Sequence, residues 1–337
     1  MLSLRLHQRL AGGEVGRDEP RPRTEVAKRE ERIVTLPNSF LTGTNLICLV
    51  CPDIETSVRR CADELGIGPW EFYDFVPPGQ KDEIIGGEPN PYSLRAAFAD
   101  VGTVSWAFLE PLEGPTIYAD FLERKGAGVH HAAFDHDGLD YDGCIAEFAR
   151  RGFAVSQSGF YGGRYCYFPT RPAAHIVFEL VDAATSETHD PIKRYPDETG
   201  TLPPGFAQTA SLGLVTPDLD ETLRAYTDQF GIGPWSIVEV GDGAQGTVRQ
   251  ASTILGDVLW EIVEPAPGPS LYRDHLDRRG PGVHHVGVAA GPGDYVARRA
   301  ELAARGFAII GEDAGAVYFA TDEVFGARLK LINGEAA

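Results

Sequence analysis

No apolar stretch in the 337 residues reaches the ~18 that a membrane-crossing helix needs. The opening segment, MLSLRLHQRLAGGEVGRDEPRPRTE, lacks the apolar core of a secretory signal. It is rich in Arg, Glu, Gly and Pro, so residues 1–38 are expected to be a disordered tail. Positive charge is scarce: 30 Lys and Arg face 49 Asp and Glu, a net charge of −19. That balance argues against nucleic acid and against anionic membrane surfaces as partners. Cysteine is sparse and odd in number. The five (Cys48, Cys51, Cys61, Cys144, Cys166) all lie in the first half. This predicts a cytoplasmic protein without a disulfide framework. Cys48 and Cys51 form a CxxC within the apolar run ICLVC, where they point to opposite faces of a strand and suit burial better than redox or zinc chemistry. GIGPW is no phosphate loop, because it lacks the lysine and the spacing. No dinucleotide fingerprint and no Ser-His-Asp elbow is present.

What the sequence does contain is repetition. ELGIGPWEFYDF at 64–75 matches QFGIGPWSIVEV at 229–240, and LEPLEGPTIYADFLERKGAGVHH matches VEPAPGPSLYRDHLDRRGPGVHH. The order is the same in both halves, so the chain is a duplication. Trp70 and Trp235 lie 165 residues apart, whereas His131 and His285 lie 154 apart. The first half therefore carries an insertion, placed in the polar run VPPGQKDEIIGGEPNPYS. Each half divides again into two quarters of one strand, one helix and two or three strands. IETSVRRCADEL is predicted as a helix ending at Gly66, and 141–151 as another ending at Gly152. Residues 39–183 and 206–334 are expected as two domains, with 184–205, rich in Pro and charge, as linker. LERKG and LDRRG read as solvated basic helix ends.

Neighbouring strand residues face opposite sides, so only one histidine of each GVHH pair can enter a pocket. His131 keeps company with Ala133, and His285 with Gly287 and Ala289, which leaves open space. His130 and His284 keep bulkier company and are read as structural, hydrogen-bonded under a helix layer. Glu179 in HIVFELV and Glu261 in VLWEIVEP are mid-strand carboxylates among apolar residues, and each needs a partner. In strand alternation His175 shares the face of Glu179. Tyr165 and Tyr167 in RYCYF are pocket-lining candidates on the neighbouring strand.

Four such quarters, with G-x-HH opening the second and fourth and FEL or WEIVEP late in a strand, resemble the vicinal oxygen chelate superfamily. The resemblance is to its glyoxalase and methylmalonyl-CoA epimerase branch. It implies an α+β fold in which four βαβββ modules form two cupped mixed sheets with helices outside. It also implies one divalent metal (Mg, Mn, Fe, Co, Ni or Zn), with ligands on the first and a late strand of each module. His131, Glu179, Glu261 and His285 align with ligand positions. Leu46, Ala107, Ser211 and Lys330 stand where other ligands would be. If each half builds its own cup, the ligand sets are Leu46/Ala107/His131/Glu179 and Ser211/Glu261/His285/Lys330. If modules exchange between halves, one cup collects His131, Glu179, Glu261 and Ser211. The exchanged arrangement is the favoured expectation, because it gathers all the credible ligands.

The chemistry this implies is a lyase or isomerase reaction. A proton moves α to a carbonyl of a small oxygenated substrate, with a metal-stabilised enolate. Glu179, Glu261 and His175 are the candidate acid–base residues, and His131, Glu179, Glu261 and Ser211 the candidate metal ligands. The alternatives are a metal-free small-molecule-binding protein and a ring-cleaving dioxygenase. The expected partner is a small molecule, with the chain a monomer or homodimer.

Overall fold

The computed structural model describes residues 40–182, 187–240, 248–291, 294–313 and 315–333. In the first quarter β1 (Leu41–Val50) leads to α1 (Ile54–Leu65), then β2 (Trp70–Phe75), β3 (Lys81–Ile85), β4 (Glu88–Pro89), β5 (Ser93–Val101) and β6 (Val104–Glu113). Helix α1 starts where the Asp53 carboxylate accepts the Thr56 amide at 3.0 Å and ends at Gly66, as the sequence predicts. Its buried residues Ile54, Val58, Cys61, Ala62 and Leu65 recur at helical spacing and pack on the sheet. Helix α2 (Ile117–Lys125) carries the chain to the second quarter. There β7 (Gly128–His136), α3 (Tyr141–Arg150), β8 (Gln157–Phe160), β9 (Arg164–Phe168), the single turn α4 (Arg171–Ala174) and β10 (Val177–Asp182) follow.

The region expected as pure linker contributes a short strand, β11 (Lys193–Tyr195). The third quarter is β12 (Gln208–Val215), α5 (Leu219–Arg224, continued by a wider turn at Ala225–Gln229), β13 (Ser236–Val240), β14 (Val248–Leu255) and β15 (Val258–Pro265). Helix α6 (Leu271–Arg279) precedes the fourth: β16 (Gly282–Ala289), α7 (Tyr295–Ala304), β17 (Ile309–Asp313), β18 (Ala316–Phe319), the turn α8 (Asp322–Phe325) and β19 (Arg328–Ile332).

The strands form two sheets of mixed parallel and antiparallel pairs. One has the order β11-β2-β5-β6-β1-β7-β10-β9-β8-β3-β4, the other β13-β14-β15-β12-β16-β19-β18-β17. In each, the first strands of the two quarters meet antiparallel at the centre, with Cys48 opposite His131 and Gly213 opposite His285. Alternation along β1 sends Ile47 and Leu49 into the core beneath the helices, and Leu46, Cys48 and Val50 to the concave side. Each half therefore closes its own cup, and the expected exchange of modules does not occur. Ligand counting favoured exchange; the β1–β7 and β12–β16 ladders decide against it.

The insertion is a hairpin. Gly86 and Gly87 turn it with φ of 60° and 88°, the mirror-image geometry that two-residue hairpins require. Strand β3 pairs antiparallel with β8, at the opposite end of the sheet from β2. Residues 76–80 thus strap the mouth of the first cup, and the edges they join lie within about 20 Å by chain reach. The halves meet through reciprocal contacts. Trp106 Nε1 donates to Thr209 Oγ1 at 2.9 Å, and Trp260 Nε1 to Thr44 Oγ1 at 2.8 Å. Lys125 donates to the Arg279 carbonyl at 2.5 Å, and Arg279 to the Lys125 carbonyl at 3.1 Å. The basic helix ends expected to be solvated are instead ties between the halves. Among the described residues no helix is long and apolar enough to cross a membrane.

Candidate functional site

The first cup encloses a cavity of about 110 Å³. Its floor is His131 on β7 and Glu179 on β10, with Nε2 and Oε2 3.2 Å apart. Leu46, Cys48 and Ala107 from β1 and β6 complete the floor; Phe75, Leu94, Phe98, Tyr118, Tyr161, Tyr165 and Tyr167 form the walls. Tyr118 reaches in from α2, and the Tyr167 ring lies 4.9 Å from that of His131. Burial pushes the Tyr118, Tyr165 and Tyr167 phenols well above their usual range, so they are neutral hydrogen-bond donors. Glu71, Asp100 and Asp182 lie farther out, and no Lys or Arg is among the described residues lining the cavity.

The histidine pair fixes a proton arrangement. His130 and His131 meet Nδ1 to Nδ1 at 2.8 Å, so one must donate. Burial, and then the His131 and Arg171 charges, hold His130 neutral, while its ring also bonds the backbone at Ile117 in the sense that favours its charged form. The Nε2 of His131 faces Glu179 Oε2 at 3.2 Å, within reach of a proton transfer between them.

The second cup has the same histidines in a different setting. His285 Nε2 lies 3.1 Å from Glu261 Oε2, and the Lys330 ammonium lies 2.9 and 3.2 Å from the two Glu261 oxygens. Gln250 adds a third donor at 3.0 Å. Burial raises the Glu261 pKa, but Lys330 and then His285 outweigh it and hold the carboxyl well below the usual range. Burial also lowers the His285 pKa, so a neutral His285 donates Nε2–H to an ionised Glu261. Ser211 Oγ is buried in this cup without a hydrogen-bond partner, tight against Gly287.

The four residues expected to share a metal are thus divided. His131 and Glu179 lie in one sheet, Ser211 and Glu261 in the other. His175 does not share the face of Glu179. It caps the turn α4 with φ 62°, and its Nε2 lies 3.1 and 3.2 Å from the Thr216 and Thr222 hydroxyls of the other half. Burial lowers its pKa to about 4, which suits a neutral interfacial histidine. Tyr118 and Tyr161 escaped the sequence reading, the first because IYADFLERK looks like an ordinary amphipathic helix.

A three-donor divalent metal site of the zinc kind is formed in neither cup among the described residues. Open catalytic sites use about three protein donors, and no three His, Cys, Asp or Glu converge among the described residues. In the first cup Leu46 and Ala107 supply no donor, and burial, then the Glu179 charge, keeps the Cys48 thiol protonated. In the second, Lys330 already occupies both oxygens of Glu261.

A model of the glyoxalase/bleomycin resistance protein/dioxygenase superfamily matches residues 46–168 and 211–323. Among solved structures, a triple mutant of 4-hydroxymandelate synthase from Streptomyces coelicolor is similar at TM-score 0.62 and 17% identity, covering 87% of this chain and 93% of that one. A xylose isomerase-like TIM barrel/4-hydroxyphenylpyruvate dioxygenase fusion protein is similar at TM-score 0.54 and 13% identity, covering 91% of this chain and 51% of the fusion. The Mn(II)-bound glyoxalase from Novosphingobium aromaticivorans is similar at TM-score 0.48 and 14% identity, covering 88% of this chain and 83% of that one. A comparison with curated proteins gives no match. At these identities the structural likeness concerns the fold.

Proposed function

The chain belongs to the glyoxalase/bleomycin resistance protein/dioxygenase superfamily, and from that footing we propose that its first cup moves a proton α to a carbonyl, as a lyase or isomerase does. The observation that carries the proposal is the pair His131–Glu179, 3.2 Å apart on the floor of an aromatic cavity. Whichever of His131 Nε2 and Glu179 Oε2 lacks the proton is the base, and the other keeps one to return. Such a pair contributes roughly 10²–10⁴-fold. The neutral phenols of Tyr118 and Tyr167 bond each other, and the hydroxyl proton left free by that bond is the donor for the oxygen that gains charge, worth roughly 10²–10³-fold when well placed. No step is assigned to a metal. The substrate class follows from the walls. An apolar cavity of ~150 Å³ holds one benzene ring, this one is about 110 Å³ and open at its mouth, and its outer charges are carboxylates. A single-ring carbonyl compound fits these walls.

The test is deuterium incorporation. Single-ring aryl ketones are incubated with the protein in D₂O, and the α-proton signals are followed by ¹H NMR. Loss of those signals with the wild type, and its abolition in Glu179→Gln, supports the proposal. Binding of the same ketones without exchange would favour a purely ligand-binding cup, a reading that the missing third donor also supports. Oxygen consumption during turnover would favour the dioxygenase reading.

A further inference from the structure

Strand β2 is covered and its counterpart β13 is not. In the first half β11 pairs antiparallel with β2, with Lys193, Arg194 and Tyr195 opposite Phe72, Glu71 and Trp70. Among the described residues β13 is the last strand of its sheet. Exposure differs accordingly: Phe72, with the Lys193 ammonium over its ring at 4.3 Å, is 0% exposed, whereas the corresponding Ile237 is 50% exposed. A long unpaired apolar edge is a site that proteins normally cover.

The sequence supplies a matching cover. Lys193-Arg194-Tyr195 is followed by Thr201-Leu202-Pro203 and then Phe206; Lys28-Arg29-Glu30 is followed by Thr35-Leu36-Pro37 and then Phe40. Lys28 and Lys193 are 165 residues apart, the same offset as Trp70 and Trp235. The paths converge where both are visible. Phe206 lies under the Arg298 guanidinium at 4.9 Å and Phe40 under that of Arg151 at 5.1 Å, each arginine from the second quarter of its own half. The start of β12 abuts the β5–β6 turn at Gly102, and the start of β1 abuts the β14–β15 turn at Gly256. The linker leaves β2 and enters β12 beside it.

We propose that residues 28–30 add a strand to the free edge of β13 within the same chain, with Arg29 opposite Ser236, as Arg194 lies opposite Glu71. Charge is matched as well. The Lys193 ammonium pairs with Glu55 on α1, which Arg95 also approaches at 3.9 Å; the counterpart on α5 is Asp220, held by Arg249 at 2.9 Å and open to Lys28 as a second cation. The segment has ten residues from Glu30 to Phe40 where the linker has eleven from Tyr195 to Phe206, so reach is not limiting. The second half then acquires the edge that the first half has.

The test uses the full chain with Arg29→Cys and Ser236→Cys, oxidised gently with oxidised glutathione. The five native thiols are buried and leave little background. The expected result is a disulfide within one chain, formed at least about tenfold faster than in an Arg29→Cys/Glu312→Cys control at the far sheet edge. A rate equal to the control overturns the proposal, and so does a link found only between two chains, which assigns the edge to a second copy. Hydrogen exchange gives an independent reading: removing residues 1–36 should speed exchange at Ile237 or Val238 by at least about tenfold while leaving β15 unchanged. Unchanged protection of β13 would overturn the proposal.

Discussion

His131 and His285 stand at the same place in two copies of one fold, yet one reaches a carboxylate on its own module and the other a carboxylate on the neighbouring module. The residue across the central ladder accounts for the difference. Opposite His285 is Gly213, and a Cβ there would lie 1.9 Å from the imidazole, so the ring lies flat across the glycine toward Glu261. Opposite His131 is Cys48, whose side chain occupies that space, and the ring turns to Glu179 on β10. Beside Glu261, Lys330 then supplies a permanent internal cation. The second cup has become a buried ion network, while the first remains an aromatic cavity under a strap. One small residue on a central strand can thus redirect a whole site.

The comparison can be broken most severely at Lys330. Lys330→Met leaves Glu261 buried beside a neutral histidine, and removing one partner of a buried pair costs about 3–5 kcal/mol. Chemical denaturation should show that loss, with much of it recovered in Lys330→Met/Glu261→Leu. A Lys330→Met protein as stable as the wild type would contradict the internal-cation account. Next comes the ladder itself. Gly213→Ala pushes a methyl into the His285 ring and should cost roughly 1–3 kcal/mol by overpacking, whereas Cys48→Ala should be milder. Equal effects would remove glycine as the cause of the ring difference. A third effect concerns pH. Burial lowers the pKa of His175 to about 4 and of His275 to about 3, from an ordinary 6.5. Between about pH 6.5 and 4 the unfolded chain therefore binds more protons than the folded one, so stability falls as pH falls. Tm measured at pH 7 and pH 5 should drop by several degrees; a flat profile would show that these histidines are not held neutral.

Much of this arrangement was legible in sequence, because strand alternation is strict. It put His131 and His285 on the cup side and paired His130 and His284 with the helices. The family resemblance supplied the positions of Leu46, Ala107 and Lys330. Module pairing was not legible, since it depends on which first strands form the central ladder and not on how many ligands a cup would gain. His175 is misplaced when HIVFELV is taken as strand from its first residue, because the strand begins only at Val177. Thr170 with Pro172 marks a helical turn, and that turn rotates His175 to the interface between halves. The hairpin at Gly86-Gly87 carried a readable turn signal, but nothing in it announced that β3 would pair with β8 across the mouth of the cup.

The most direct test of the central claim, that the two cups have diverged into a reactive one and a structural one, compares His131→Ala with His285→Ala. Both proteins are incubated with the same aryl ketone in D₂O, with folding verified by circular dichroism. The account predicts that His131→Ala lowers α-exchange by roughly 10²–10⁴-fold, while folded His285→Ala retains the wild-type rate within about threefold. Exchange lost in folded His285→Ala and retained in His131→Ala would contradict it.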